Sequence, residues 1–494
     1  MLSQFALLIL GFFSQRAMNL YMGAELVGMN GVISNVINIL SVTELGISTA
    51  IVYHLYGALA RKDEAEIASL MNLYRKAYHV FAVLVFAAGM AVLPFIHLFM
   101  KNNSYSLSYI RVLYAMWLVR TVLSYLLTYR KSLLIADQKE YIASITGLIL
   151  NVVSYLAIIL LVTWEQNYLL ALGIGTVTEV VLNIWISWYV EQKYPFLRQR
   201  RKEKSTSSLT KRIVRDLKSL FISRISEKML YCTDNLIISG FIGVGTVGRY
   251  ANYCMITQAI SNILTILANT IQPTVGDYFT EKNRQRNYEI LRQLTFGFFC
   301  IASVVSVGLF SLITPFVRDI WLGPSYELGW GITVFCIVVL LVRIMGLPLS
   351  LVMGVTGLFE KEKNVGASSA LLNLIVSLAL VKPYGMAGVL LGTLLSYLLQ
   401  ILYRYIIYFR DFLEMPGEAL RYAQDIGVYL AVIAGAVLLM QKIVQLIYGA
   451  GGMLLFCVCF LLCIAIPLLL DLVIFGRGWR LQSIVTMVKG MRKA

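Results

Sequence analysis

The run IASITGLILNVVSYLAIILLVT at 142–163, then WEQN, then YLLALGIGTVTEVVLNIWISWY at 168–189, decides the fold. The first run carries no charge, and the second carries only Glu179. As a helix each is long enough to cross the ~30 Å hydrocarbon core of a bilayer. The four residues between them leave room only for a tight return, so the two runs read as neighbouring antiparallel spans.

The pattern extends in both directions. Fourteen spans are predicted, near 2–21, 30–55, 78–100, 109–128, 142–163, 168–189, 220–242, 250–274, 293–315, 330–354, 365–381, 385–408, 427–447 and 452–475. Of the 494 residues 59% are hydrophobic and 14% charged, and mean hydropathy is +0.76. These values exclude a disordered chain and argue against a soluble enzyme. The fold class expected is an all-α polytopic membrane protein. No basic region or small-residue cleavage site marks the first run as a signal peptide, so it too reads as a span.

The net charge of +16 would suggest nucleic acid in a soluble protein. Here the positions matter more. With the N-terminus in the cytoplasm, 31 Lys and Arg fall on inside segments and 6 on outside ones. The bias places both termini inside, and most of the surplus is a topology signal with lipid headgroup contact. No nucleic-acid partner is expected. The seven cysteines and three histidines form no metal-site spacing, so no metal and no cofactor are expected.

Residues 191–218 form a basic cytoplasmic linker expected to hold an amphipathic surface helix. It separates an N-terminal bundle of six spans (1–190) from a second of six (219–410). Residues 411–494 add two spans and a cytoplasmic tail. A weak internal repeat appears at an offset of 220: GAELVGMN (23–30) aligns with GVGTVGRY (243–250), and 58–76 with 278–296. Both copies have the same membrane orientation, which predicts a parallel repeat of two pseudo-symmetric bundles around a central cavity.

Charges inside spans are costly and should meet a wet cavity or a partner. In the seventh span Arg224, Lys228, Tyr231 and Asn235 share one helical face, with Glu227 and Asp234 beside it. They read either as a cationic cavity lining or as ion pairs within the bundle. Arg16 and Arg343 are further cavity cations by position. Gln258, Asn262, Thr265, Asn269 and Gln272 recur at helical spacing in the eighth span and read as an amide-lined wall suited to hydroxyl-rich ligands. Asn30, Ser34, Ser41 and Ser48 share a face with Glu44. Glu44, Glu179 and Asp234 are candidate ion-coupling carboxylates, while Arg120, Glu44 and Glu179 equally suit buried pairs. Tyr21, Tyr53, Tyr109, Trp164, Tyr168, Tyr189, Trp321 and Trp330 read as an interfacial belt. No GxSxG, Walker A or HExxH motif occurs, so no catalytic residue is assigned and an enzyme is not expected.

The stretch YMGAELVGMNGVISNVINILSVTELGISTAIVYHLYGALARKDEAEIASLMNLYRKAY (21–78) resembles the N-terminal signature of bacterial polysaccharide repeat-unit flippases. These are the Wzx-type branch of the MOP superfamily, which also holds lipid II flippases and MATE drug exporters. YCTDNLIISGFIGVGTVGRYANYCMI (231–256) resembles the family's aspartate-bearing seventh span and following turn. The resemblance implies a MATE-like fold with rocker-switch alternating access. It implies a substrate of undecaprenyl-diphosphate oligosaccharide, with bilayer lipids, a polysaccharide polymerase and export machinery as further partners. Arg16, Arg224, Lys228 and Arg343 would engage the diphosphate, and Asp234 matches the family's acidic residue. The chain departs from the family in starting almost inside its first span. Two alternatives stay open: a MATE-like drug or metabolite antiporter, and a membrane-embedded polysaccharide polymerase.

Overall fold

A computed structural model describes residues 2–41, 47–198, 232–279, 283–358, 361, 363–448 and 452–476. Glu44, Arg224, Lys228, Tyr231 and the linker beyond residue 198 lie outside the described residues. Among the described residues the fold is all-helical, and 11 helices are long and apolar enough to cross a membrane. The chain divides into two compact units, Met1–Ala251 and Asn252–Ala494.

The first unit holds α1 (Leu2–Ala17), α2 (Gly23–Leu40), α3 (Ile47–Ala60), α4 (Glu64–Val92), α5 (Leu107–Thr128), the short α6 (Lys131–Ala136), α7 (Glu140–Trp164) and α8 (Tyr168–Lys193). It also holds α9 (residues 232–241) and the start of α10 (Val244–Tyr278). On α7 the exposed large apolar residues are Tyr141, Ile145, Ile149, Val153, Leu156, Leu160 and Trp164. That apolar stripe, at steps of three and four, runs the length of the helix. It is a face made for hydrocarbon.

Helix starts differ from the sequence reading. No loop separates the first two spans: a π-helical turn (Met18–Met22) leads to Gly23 at φ +83°, and α2 begins there. Positive φ suits Gly, and the chain passes from α1 to α2 there without a loop. The predicted third span starts 14 residues late. α4 begins at Glu64, capped by Asp63, whose side chain accepts from the Glu66 backbone N–H at 3.0 Å. Glu64 and Glu66 complement the helix dipole there. At 29 residues, or ~44 Å, α4 outruns the hydrocarbon core. Its polar first turns are a continuation of the span into water.

The 220-residue offset is visible in these details. α4 starts at Glu64 and its counterpart at Arg284; the caps are Asp63 and Asn283, accepting from Glu66 N–H and Arg286 N–H. Gly23 and Gly243 both have positive φ, and each is followed or begun by a long helix. The repeats also touch each other within the first unit. A Cβ on Gly28 would lie 1.9 Å from the Val244 carbonyl oxygen, and one on Gly248 would lie 1.8 Å from that of Ala24. Residues 28 and 248, and 24 and 244, differ by 220, so the contact is self-complementary in the way a two-fold interface is.

α9 is fastened by the chain between α4 and α5. Lys101 Nζ donates to the Phe241 carbonyl at 2.9 Å and Asn102 Nδ2 to that of Ile242 at 3.0 Å, closing carbonyls at the end of α9. Val244 N–H donates back to the Lys101 carbonyl at 3.1 Å. These bonds hold the helix that carries Asp234 and Asn235.

The second unit holds the rest of α10, α11 (Arg284–Pro315), α12 (Trp330–Val355), α13 (Lys363–Tyr384), α14 (Met386–Ile406), α15 (Pro416–Tyr448) and α16 (Met453–Phe475). α13 and α14 form its closest pair. Gly388, Gly392 and Ser396 of α14 sit against the chain of α13 near Leu380, Ser377 and Ser369. Small residues at every fourth position let two backbones approach where apolar burial gives no drive for association. Asn373 Nδ2 donates to Thr393 Oγ1 at 3.0 Å and Ser396 Oγ to the Ser369 carbonyl at 2.8 Å in the same seam.

The Gly28–Gly248 crossing has no room for a methyl group. Gly28→Ala or Gly248→Ala is expected to cost about 3 kcal/mol or more, at or beyond the top of the usual range for overpacking. Gly308→Ala, on α11 with nothing within 4 Å of the added Cβ, is expected to be neutral or to stabilise by about 0.5–1 kcal/mol. Thermal unfolding of the three variants in detergent, followed by size-exclusion profile, separates these outcomes.

Candidate functional site

The first unit contains a polar cavity of about 320 Å³, walled by α2, α5 and α8. Ser34, Asn38 and Ser41 reach it from α2 and the residue after it, Arg120, Thr121 and Ser124 from α5, and Glu179 from α8. The volume lies at the low end of ligand pockets. It accommodates water, an ion or a single sugar, not a whole lipid-linked oligosaccharide.

Arg120 Nε donates to Glu179 Oε2 at 2.6 Å, with both side chains 30% exposed. The Arg120 guanidinium also stands over the Trp117 ring, 5.2 Å from its centroid. Glu179 is therefore the partner of Arg120, which is one of the two readings open from the sequence. Beside the pair, Asn30 Oδ1 accepts from Trp117 Nε1 and from Tyr168 Oη, both at 2.7 Å. Tyr168 is buried. It is thus no belt residue, because its hydroxyl is needed inside the bundle. Trp321, also expected in the belt, is buried in the second unit and stacks on Phe316 at 5.7 Å. Trp164 and Trp330 are exposed, as a belt requires.

The sequence reading found Asn30, Ser34 and Ser41 on one face, and Ser34 and Ser41 do line the cavity. It missed Asn38, Trp117, Thr121 and Ser124. Thr121 and Ser124 follow Trp117 by one turn and two turns on α5, a polar spacing that was there to be read.

The other candidates divide between the units. In the first, Arg16 is exposed near the end of α1, Asp234 is buried and Asn235 half-buried on α9. In the second, the half-buried Arg343 lies over the Tyr397 ring at 5.6 Å, joining α12 to α14. On α10, Gln258, Asn262, Thr265 and Asn269 are exposed and Gln272 is half-buried. Gln258 Nε2 donates to Asn262 Oδ1 at 2.9 Å, and Thr265 Oγ1 bonds back to the Ser261 carbonyl at 2.8 Å. Exposed amides on a membrane-crossing helix are incompatible with a lipid-facing surface. Among the described residues no group of three or more His, Cys, Asp or Glu could hold a metal ion.

Close to this geometry are several solved transporters. The lipid II flippase MurJ in an inward closed conformation superposes with a TM-score of 0.71 at 15% identity, covering 96% of this chain and 98% of that one. An inward-facing multidrug resistance MATE family transporter of the MOP superfamily gives 0.63 at 12% identity, covering 81% and 93%. The MATE multidrug transporter DinF-BH gives 0.57 at 15% identity, covering 83% and 93%. At these identities the likeness establishes the fold. No curated protein matches the chain in sequence. Residues 1–279 match the family described as polysaccharide biosynthesis protein. The chain is thus a multi-pass membrane protein with the fold of MOP-superfamily flippases and exporters, and it belongs to the polysaccharide biosynthesis protein family.

Proposed function

We propose that the protein is a flippase that carries undecaprenyl-diphosphate-linked oligosaccharide repeat units from the cytoplasmic to the outer leaflet of the bacterial cytoplasmic membrane. The carried unit serves surface polysaccharide synthesis, with a polymerase and export machinery acting downstream. Both termini face the cytoplasm, following the charge bias of the connecting segments. The observation that carries this reading is family membership over residues 1–279. A fold likeness to a lipid flippase over nearly the whole chain is consistent with it.

The chemistry of such a cargo sets three requirements. The lipid tail can stay in hydrocarbon, so only the head group crosses. The sugar chain needs a path that gives and takes hydrogen bonds, and the amide face of α10 supplies groups that do both. The diphosphate needs cations, and Arg can grip it with two parallel hydrogen bonds. We assign that role to Arg16, Arg224, Lys228 and Arg343. Dispersed cations hold an anion without trapping it, which a transport cycle requires. Glu44, Glu179 and Asp234 remain the coupling candidates of the same reading. Glu179 carries an intact ion pair with Arg120, so its use in coupling needs that pair to open.

Fluorescent undecaprenyl-diphosphate oligosaccharide in proteoliposomes tests the proposal. Wild type should transfer it, and Arg224→Ala and Lys228→Ala should each slow transfer about tenfold or more, or about 1.4 kcal/mol of lost interaction. Transfer unaffected by either change would make these residues structural. Export of a cationic dye without lipid transfer would favour the drug-exporter alternative. For the Arg120–Glu179 pair, a double-mutant cycle with Arg120→Met and Glu179→Gln should give a coupling energy of about 1–3 kcal/mol in detergent unfolding. The partial exposure of both side chains keeps it below the cost of breaking a fully buried pair.

A further inference from the structure

α16 packs against α11 and α15 in the second unit. α11 and α16 run antiparallel, since Phe475 meets Phe296 and Phe299 while Phe456 meets Phe316. Near the C-terminal end of α16 four rings form a layer across all three helices. Phe299 and Tyr429 stack at 4.4 Å between centroids, and Phe475 meets Phe296, Phe299 and Tyr429 at 5.5, 5.6 and 5.7 Å.

Different polar groups stand on the two sides of this layer. One turn below Phe296 and Tyr429, Arg292 and Asp425 form an ion pair at 2.6 Å. One turn above Phe475 and Phe299 are Asp471 and Ser303, which the helix spacing sets at one level. Asp471 is 3% exposed and Ser303 fully buried. Neither Asp471 carboxyl oxygen makes a full hydrogen bond; the Ser303 hydroxyl is the donor that faces them.

Among the described residues the surroundings offer no counter-charge. α16 has no other charged residue, and α11 has none between Arg292 and Pro315. α15 has Glu418 and Arg421, paired with each other, and Asp425, paired with Arg292, all on the far side of the aromatic layer, and Lys442, which is about nine residues, or ~13 Å, beyond the level of Asp471. The other titratable side chains on these faces are Cys300, Cys463 and Tyr429, none of them a cation. A carboxylate anion buried among apolar groups with no cation and a single hydroxyl beside it is unsustainable; the neutral acid is not. A metal cation would need several more oxygens than one carboxyl and one hydroxyl provide. Pro467 lies one turn before Asp471. It deprives the Cys463 carbonyl of its helical hydrogen bond and gives α16 a place to bend.

We propose that Asp471 is a proton-binding site inside the membrane, neutral while α16 is seated on α11 and releasing its proton when that contact opens to water. On release the carboxyl O–H bond breaks, the electron pair stays on the carboxylate, and the proton passes to water. The site links a protonation step to the seating of one helix. It is independent of which molecule the protein transports.

Infrared difference spectroscopy of the full-length protein in proteoliposomes, without any lipid-linked substrate, tests this. Wild type should show the carbonyl band of a neutral, buried carboxyl at neutral pH. Asp471→Asn, equal in size to the neutral acid and uncharged, should remove the band. Ser303→Ala, which takes away the facing hydroxyl, should shift it and serves as the readout if the Asn variant fails to fold. Absence of the band in wild type overturns the proposal. So does a band that neither Asp471→Asn removes nor Ser303→Ala moves. Loss of the wild-type band when sodium replaces choline at fixed pH would make the site a sodium site and overturn the proton assignment.

Discussion

Hydrocarbon offers no hydrogen bonds, and every other feature of this structure follows from that constraint. Each helix satisfies its own backbone, so polar side chains within the spans must be answered from inside the protein. Asn30 receives two donors, Trp117 and Tyr168, on two other helices. Arg120 has Glu179, and Asn373 has Thr393. These bonds fix which helices are neighbours and in what register, a task that apolar side chains facing apolar lipid cannot perform. At Asp471, where no cation answers, a proton takes the partner's place.

The same constraint explains the small residues. Without a hydrophobic drive between helices, association depends on close packing and on the hydrogen bonds that close packing permits. The α13–α14 seam is built this way from Gly388, Gly392 and Ser396. The Gly28–Gly248 crossing goes further, because each glycine meets the other repeat's carbonyl oxygen. Two copies of one motif that face each other must each be small at the same point. One sequence pattern, repeated at an offset of 220, thereby supplies both halves of a self-complementary joint.

Features set by local rules were legible in the sequence. Apolar run length gave the eleven spans that the described residues bear out. The repeat, thin in identities, is carried by the residues that do the geometric work: turn glycines, crossing glycines and the Asp63 and Asn283 caps. Helix ends were less legible, because a charged first turn looks like a linker even when the helix is continuous, as at Glu64. Pairings across distance were legible only as open possibilities. Arg120 and Glu179 are 59 residues apart, and no periodicity connects them. Tyr168 and Trp321 sit where belt residues sit in sequence, and only the packing shows them buried. Asp471 went unremarked because a single carboxyl near the end of a very apolar span resembles an interfacial charge.

The polar groups now fall into kinds that suit different tasks. The Arg120–Glu179 cavity is formally neutral, and its cation is already engaged. It is poorly placed to grip an anion. The exposed amides of α10 carry no charge, and two of them, Gln258 and Asn262, bond to each other. In the proposed cycle they would give a sugar chain many weak, exchangeable contacts and no strong one. Arg343 is held over an aromatic ring, which positions a cation apart from those amides. A carrier of a large anionic head group needs this division of labour. If charge were concentrated with the amides, the head group would bind too tightly to leave. If there were no charge at all, desolvating the diphosphate would stop it from entering. The proposed transport would then rest on keeping attraction and passage in separate places on the same scaffold.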